Sequence, residues 1–272
     1  MGFRFVFKTV VFLFLLIVLE SCKDLPRDNL FDPQNPNSFT NTRVLVEAFV
    51  NTAHPSPYNT WALQSLHALQ QKYPHEFILC EYHRDIQTDT ATYDDPYNTG
   101  DNQIVFKLLQ DRYVSRHSNV PRVMPDVYLN GATHRFVGAY NSWSMQEQIE
   151  PVFFQLRTKN YFKLEPVIKK IDRTTLSLKC RVAGLGKQTV RDKRLRVIFL
   201  KEHWDQTLSL NLSVVSKLVW PSVSVPEIKN GSYKTVDLGR FNFKNWPDRV
   251  VVALVSTDES KVFQSVYTDL PL

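Results

Sequence analysis

The chain has 272 residues, 43% of them apolar and 12% aromatic, with only 8 glycines. This composition excludes a disordered or collagen-like chain, and the length predicts two domains, each with room for a sizeable core. The formal net charge of +6 is scattered along the chain, which argues against a nucleic-acid protein built on a basic stripe.

Arg4 and Lys8 precede a short apolar run at residues 9–19, the charged and hydrophobic regions of a secretory signal. The run is too short to cross a bilayer, which takes roughly 20 helical residues. Leu19-Glu20-Ser21-Cys22 resembles the lipobox of bacterial lipoproteins, with Glu20 an unusual residue in it. The resemblance implies a signal peptide at residues 1–21, lipid attachment at Cys22 with palmitate among its chains, and anchoring to the cell outer membrane. An uncleaved anchor, or a signal cut elsewhere, is the alternative. Each buried methylene contributes about 0.8 kcal/mol, so several acyl chains hold firmly. Lys23 and Asp24 resemble the surface-export signal of lipoproteins in the Bacteroidetes group, and the periplasmic and surface-exposed faces both stay open. The polar, proline-bearing residues 22–42 are expected to be a tether.

Residues 43–160 alternate between strand and helix patterns. "VLVEAFV" and "FILCEYH" read as strands, and between them Trp61, Leu63, Leu66, Leu69 and Tyr73 fall near helical spacing. A polar insertion at residues 84–102 leads into the helical "QIVFKLLQDRYVSRH". A hairpin follows with its turn at Asn130 to Thr133, and "SMQEQIEPVFFQLRTKN" closes the region as a helix. This order predicts an α/β domain of thioredoxin-like type.

From residue 161 to 272 the helical period disappears, and strand-length runs separated by turn residues predict an all-β sandwich of immunoglobulin-like type. The boundary is expected near Asn160. One run, "RVVVALVST", would pair with another chain if it lay uncovered at a sheet edge. The basic cluster Arg191 to Arg196 is expected to be a solvated strand end, with anionic lipid headgroups as the nearest use for its charge.

The sequence "VLVEAFVNTAHPSPYNTWALQSLHALQQKYP", with Glu47 and Phe49 before the turn, Tyr82-His83 at a strand end, Pro125, and Asn130-Gly131, resembles the Omp28-related family of bacterial outer-membrane lipoproteins. That resemblance covers nearly the whole chain after the tether and implies a thioredoxin-like domain joined to a β-sandwich. Where the family has a Cys-x-x-Cys pair, this chain has His54 and Pro57. Thiol-disulfide exchange needs an activated thiolate and a second cysteine to resolve the mixed disulfide, and neither imidazole nor proline supplies them. No thioredoxin-type enzyme activity is therefore expected. By the same resemblance Pro125, after Met124, holds the place of a cis-proline facing the turn, where an extended peptide can pair with exposed backbone groups. A structural role for Pro125 in shaping the start of a strand is the equal alternative.

Cys80 and Cys180 sit inside strand runs, where cysteine is usually a small buried hydrophobe; a disulfide between the two domains is the alternative. Pro57 suits the first turn of a helix, with Ser56 as its N-cap. The positive end of a helix disfavours a cationic imidazole, so His54 could ligate a metal or act as a base, with His83 or His134 approaching from strand ends. No tight ligand spacing supports such a centre, and neither a metal nor another cofactor is expected. Asp85, Asp89, Asp94 and Asp95 do not fit a calcium loop and are expected to lie on a solvated loop. The reading favoured is a lipid-anchored, redox-inactive module for a protein or peptide partner. The alternatives are an envelope enzyme or metal-binding protein using His54, or a structural subunit of an envelope complex.

Overall fold

A computed structural model describes residues 29, 31–115, 117 and 123–271; the signal segment and Cys22 lie outside them. In the first half the elements run β1 (Thr40–Asn41), β2 (Val44–Val50), α1 (Pro57–Lys72), β3 (Phe77–His83), β4 (Ile86–Gln87), β5 (Thr92–Tyr93) and α2 (Gly100–Val114). Then come β6 (Asp126–Leu129), β7 (His134–Val137), α3 (Ser144–Leu156) and β8 (Lys159–Asn160). The second half is β9 (Phe162–Lys170), β10 (Thr175–Gly184), β11 (Lys193–Asp205), β12 (Leu210–Val225), β13 (Tyr233–Asn242), β14 (Arg249–Ser256) and β15 (Val262–Asp269). The described residues are mostly β-sheet with few helices, none of them long and apolar enough to cross a membrane.

Every residue of β2 and β3 is buried, Glu47, Glu81 and His83 included, because this parallel pair is covered on both faces. One face packs Val44, Val46 and Ala48 against Leu66 and Leu69 of α1 and Ile149 and Phe153 of α3. The other packs Leu45 and Phe49 against Phe106 and Leu109 of α2. Ser56 caps α1 by accepting from the Tyr58 amide at 3.4 Å, and Pro57 opens the helix where no amide donor is needed.

One eight-stranded sheet runs through the whole molecule in the order β15-β14-β11-β12-β3-β2-β6-β7. The two halves join where β12 lies parallel to β3 at Val214 and Glu81. A separate three-stranded sheet, β13-β10-β9, covers the β-rich half, and Leu178, Cys180 and Val182 of β10 meet Val197, Phe199, Val250 and Val252 across the core. The β6–β7 turn closes the seam: Gly131 bridges to Lys261, and a Cβ there would stand 2.6 Å from the Ser260 carbonyl oxygen.

Several expectations need correcting. The apolar run of β14 is not an available edge, since it lies between β11 and β15. The β9 strand went unread because its lysines and Pro166 mask the alternation; as an edge strand it tolerates the missing amide donor. From residue 31 the stretch expected as a tether packs on the β-rich half, with Ser38 buried and accepting from the Gly186 amide at 2.7 Å. Arg196 is not solvated but fully buried. Cys80 and Cys180, by contrast, are as expected: buried free thiols in different apolar clusters, with no disulfide between them.

Candidate functional site

The turn between β2 and α1 is held from beneath by amide side chains. Buried Asn51 accepts from the His54 amide at 2.6 Å and donates to the carbonyls of Arg84 and Tyr93 at 2.6 and 2.9 Å. Asn59 in α1 accepts from the Asn51 amide at 3.2 Å. His54 stands on this turn with its ring edge against Tyr93, centroids 4.6 Å apart, and its Nδ1 accepts from the Ser56 amide at 3.1 Å. A ring nitrogen that accepts carries no proton, so that bond assigns any ring proton to Nε2. His83 is fully buried in β3 and His134 lies on β7; among the described residues no group of three ligand side chains is placed to hold a metal.

Across from the turn the Met124–Pro125 peptide is cis. Asp126, the next residue, is clamped by Arg135, whose Nε and Nη2 each approach a carboxylate oxygen at 2.7 Å. A cleft of about 770 Å³ lies between the two sides, lined by His54, Tyr58, Arg84, Phe106 and Met124 among others. The Arg84 guanidinium lies over the Phe106 ring at 3.7 Å and holds its floor. No described residue pairs with the main-chain N–H or C=O of Met124.

Beneath the turn runs a buried chain of ionisable groups. The Asp95 carboxylate accepts from the Thr52 amide at 2.6 Å and hydroxyl at 3.0 Å, and meets His83 Nδ1 at 3.1 Å. His83 Nε2 is 3.6 Å from Glu81, whose other oxygen is 2.7 Å from His67 Nε2 in α1. Neither of these last two approaches meets the geometry of a hydrogen bond. Burial alone would push the Glu81 carboxyl up, but the imidazoles of His67 and His83 outweigh it and bring it down to about 2. Burial likewise opposes the His83 proton, yet Asp95 and Glu81 raise that imidazole to about 9. Asp95 is held below the usual carboxylate range despite burial, by His83 and the amides of Thr52 and Tyr97.

Asp95 is therefore not on a solvated loop: the acidic insertion sends one carboxylate under the turn, while Asp85 caps the Asp95 amide at 2.8 Å. The four aspartates are alike in sequence yet differ in burial, and neither His67 nor Arg196 was expected beside a buried carboxylate. A signal existed for His67 and Glu81, each an ionisable residue within an apolar pattern, where burial demands a partner.

Neither described cysteine, Cys80 or Cys180, lines the cleft. Burial pushes the Cys180 thiol up to about 12 and the Cys80 thiol well above its ordinary value.

No protein-family model and no curated protein matches the chain. Among solved structures, HBP35 of Porphyromonas gingivalis is similar with a TM-score of 0.56 at 10% identity, over 85% of this chain and 76% of that one. This likeness concerns the fold alone. A β-glucosidase from Kluyveromyces marxianus matches 43% of this chain and 15% of its own with a TM-score of 0.25, too low to carry an argument.

Proposed function

We propose that the chain is a lipid-anchored, redox-inactive protein of the outer membrane, in which a thioredoxin-like domain and an immunoglobulin-like sandwich together present a groove for an extended protein or peptide segment. Membership of the Omp28-related family is part of this reading. The observation that carries it is the cleft between His54 and Met124, with the Met124 main-chain groups unpaired among the described residues. An extended chain laid there gains backbone hydrogen bonds of the strand-addition kind, and the Tyr58 and Phe106 rings offer side-chain surface. Thiol chemistry plays no part, because both described cysteines are buried far from a thiolate state.

Fluorescence polarisation of the full chain in detergent against a library of extended peptides tests this. His54→Trp, which fills the cleft, should abolish binding without altering the melting curve. Equal binding by wild type and variant would sink the proposal. Metal analysis of wild type and His54→Ala separates the metal-binding alternative, which the Ser56 bond to His54 Nδ1 disfavours.

A further inference from the structure

A second cleft, of about 490 Å³, opens on the β-rich side of the insertion and shares no lining residue with the first. Its walls come from residues 96–99, from β11 and β12, and from the loop after β13. Lys201, Lys217 and Lys244 line it, with His203, Tyr97 and Ser216, and no aspartate or glutamate does. Of the three lysines, only Lys201 has an ion-pair partner among the described residues, Asp248 at 3.0 Å. Lys217 is half-buried, its ammonium over the Phe243 ring at 5.2 Å, which fixes its position without neutralising it. Tyr97 and His203 set their rings 5.0 Å apart as an aromatic wall.

Lys217 and Lys244, with no ion-pair partner among the described residues, stand in a recess whose lining carries no carboxylate, a setting that attracts an anion. The cleft is large enough for a single ring-sized molecule. We propose that it binds a small sugar-sized ligand carrying a phosphate or carboxylate group, with Lys217 and Lys244 meeting the anion and the Tyr97–His203 wall meeting the ring. Burial first, then the Lys201 ammonium, lowers the proton affinity of His203, while Asp248 opposes them.

Isothermal titration of the full chain in detergent at low salt tests the proposal with glucose 6-phosphate, glucuronate, inorganic phosphate and neutral glucose. Binding is expected for at least one of the first two, and which one binds identifies phosphate or carboxylate as the preferred group. It should weaken with added salt and fall roughly tenfold or more in Lys217→Gln/Lys244→Gln. Lys217→Arg/Lys244→Arg should retain it, as should Lys179→Gln/Lys187→Gln, a pair of exposed lysines elsewhere on the β-rich half. Absence of binding by both ring ligands, binding of inorganic phosphate alone, equal binding of glucose, or equal loss in the two Gln pairs would overturn it.

Discussion

Arg196 on β11 sets its Nη1 2.8 Å from Glu47 Oε1 on β2, and neither side chain reaches solvent. The pair links residues 149 positions apart across the seam between the halves. Glu259 joins from the turn before β15, its carboxylate 3.2 Å from Arg196 Nε and itself bonded to Ser222, while Tyr82 donates to Glu47 at 3.1 Å. A guanidinium with five donors in a rigid fork suits such a site where lysine would not. Arg196→Met should destabilise the protein by about 3–5 kcal/mol, since it strands two buried carboxylates without their counter-charge. The triple change Glu47→Gln, Arg196→Met, Glu259→Gln should recover much of that loss. Equilibrium unfolding in urea measures both, and a single-variant loss below about 1 kcal/mol would contradict the buried network.

Stability should depend on pH through the chain beneath the turn. The folded state raises His83 from 6.5 to about 9, so its contribution is complete below about pH 6.5 and is lost as pH rises through about 9. Glu81 is lowered from 4.5 to about 2, so its contribution is complete above about pH 4.5 and is lost as pH falls toward 2. A plateau in melting temperature is expected between about pH 5 and 6.5, with decline on either side. His83→Gln should flatten the decline between pH 6.5 and 9. An unchanged alkaline limb in that variant would assign the effect elsewhere.

Asp95→Ala removes the acceptor of the Thr52 amide and the partner of His83 together. Breaking a buried pair of this kind costs about 3–5 kcal/mol, and the loosening should begin at the turn. Native-state hydrogen exchange should speed up at the amides of Thr52 and His54 before it does in β14. Uniform acceleration across the sheet would show instead that Asp95 has no particular hold on the turn.

The thiols of Cys80 and Cys180 should not react with an aromatic disulfide reagent in the native protein and should both react once it is unfolded. Insulin reduction should stay at background. Measurable turnover that disappears in Cys80→Ser would require a thiol to reach the surface, contrary to its place in the core of β3.

Much of the fold was legible locally. The start of α1 at Ser56 and Pro57, the Asn130–Thr133 turn and the strands of the β-rich half other than β9 each follow from periodicity and turn chemistry within a short window. What stayed hidden had its cause elsewhere in the chain. The "RDKRLR" segment reads as a solvated cluster because charged residues usually are; only Glu47 and Glu259 make the interior tolerable for Arg196. Asp95 lies among acidic neighbours of identical local character, and nothing within the insertion distinguishes the one beneath Thr52.

The sequence by itself determined that this chain lacks the thiol pair at the β2–α1 turn, because chemistry absent from a composition cannot be restored by folding. It also determined the type of nearly every long element, because hydrophobic period is a property of neighbours. Only the tertiary structure decided that β12 lies beside β3, making one sheet of two halves, and that His54 faces Met124 across an open cleft. Strand pairing and cleft shape depend on which distant surfaces bury each other, and that choice is a global balance of packing and charge that no local window contains.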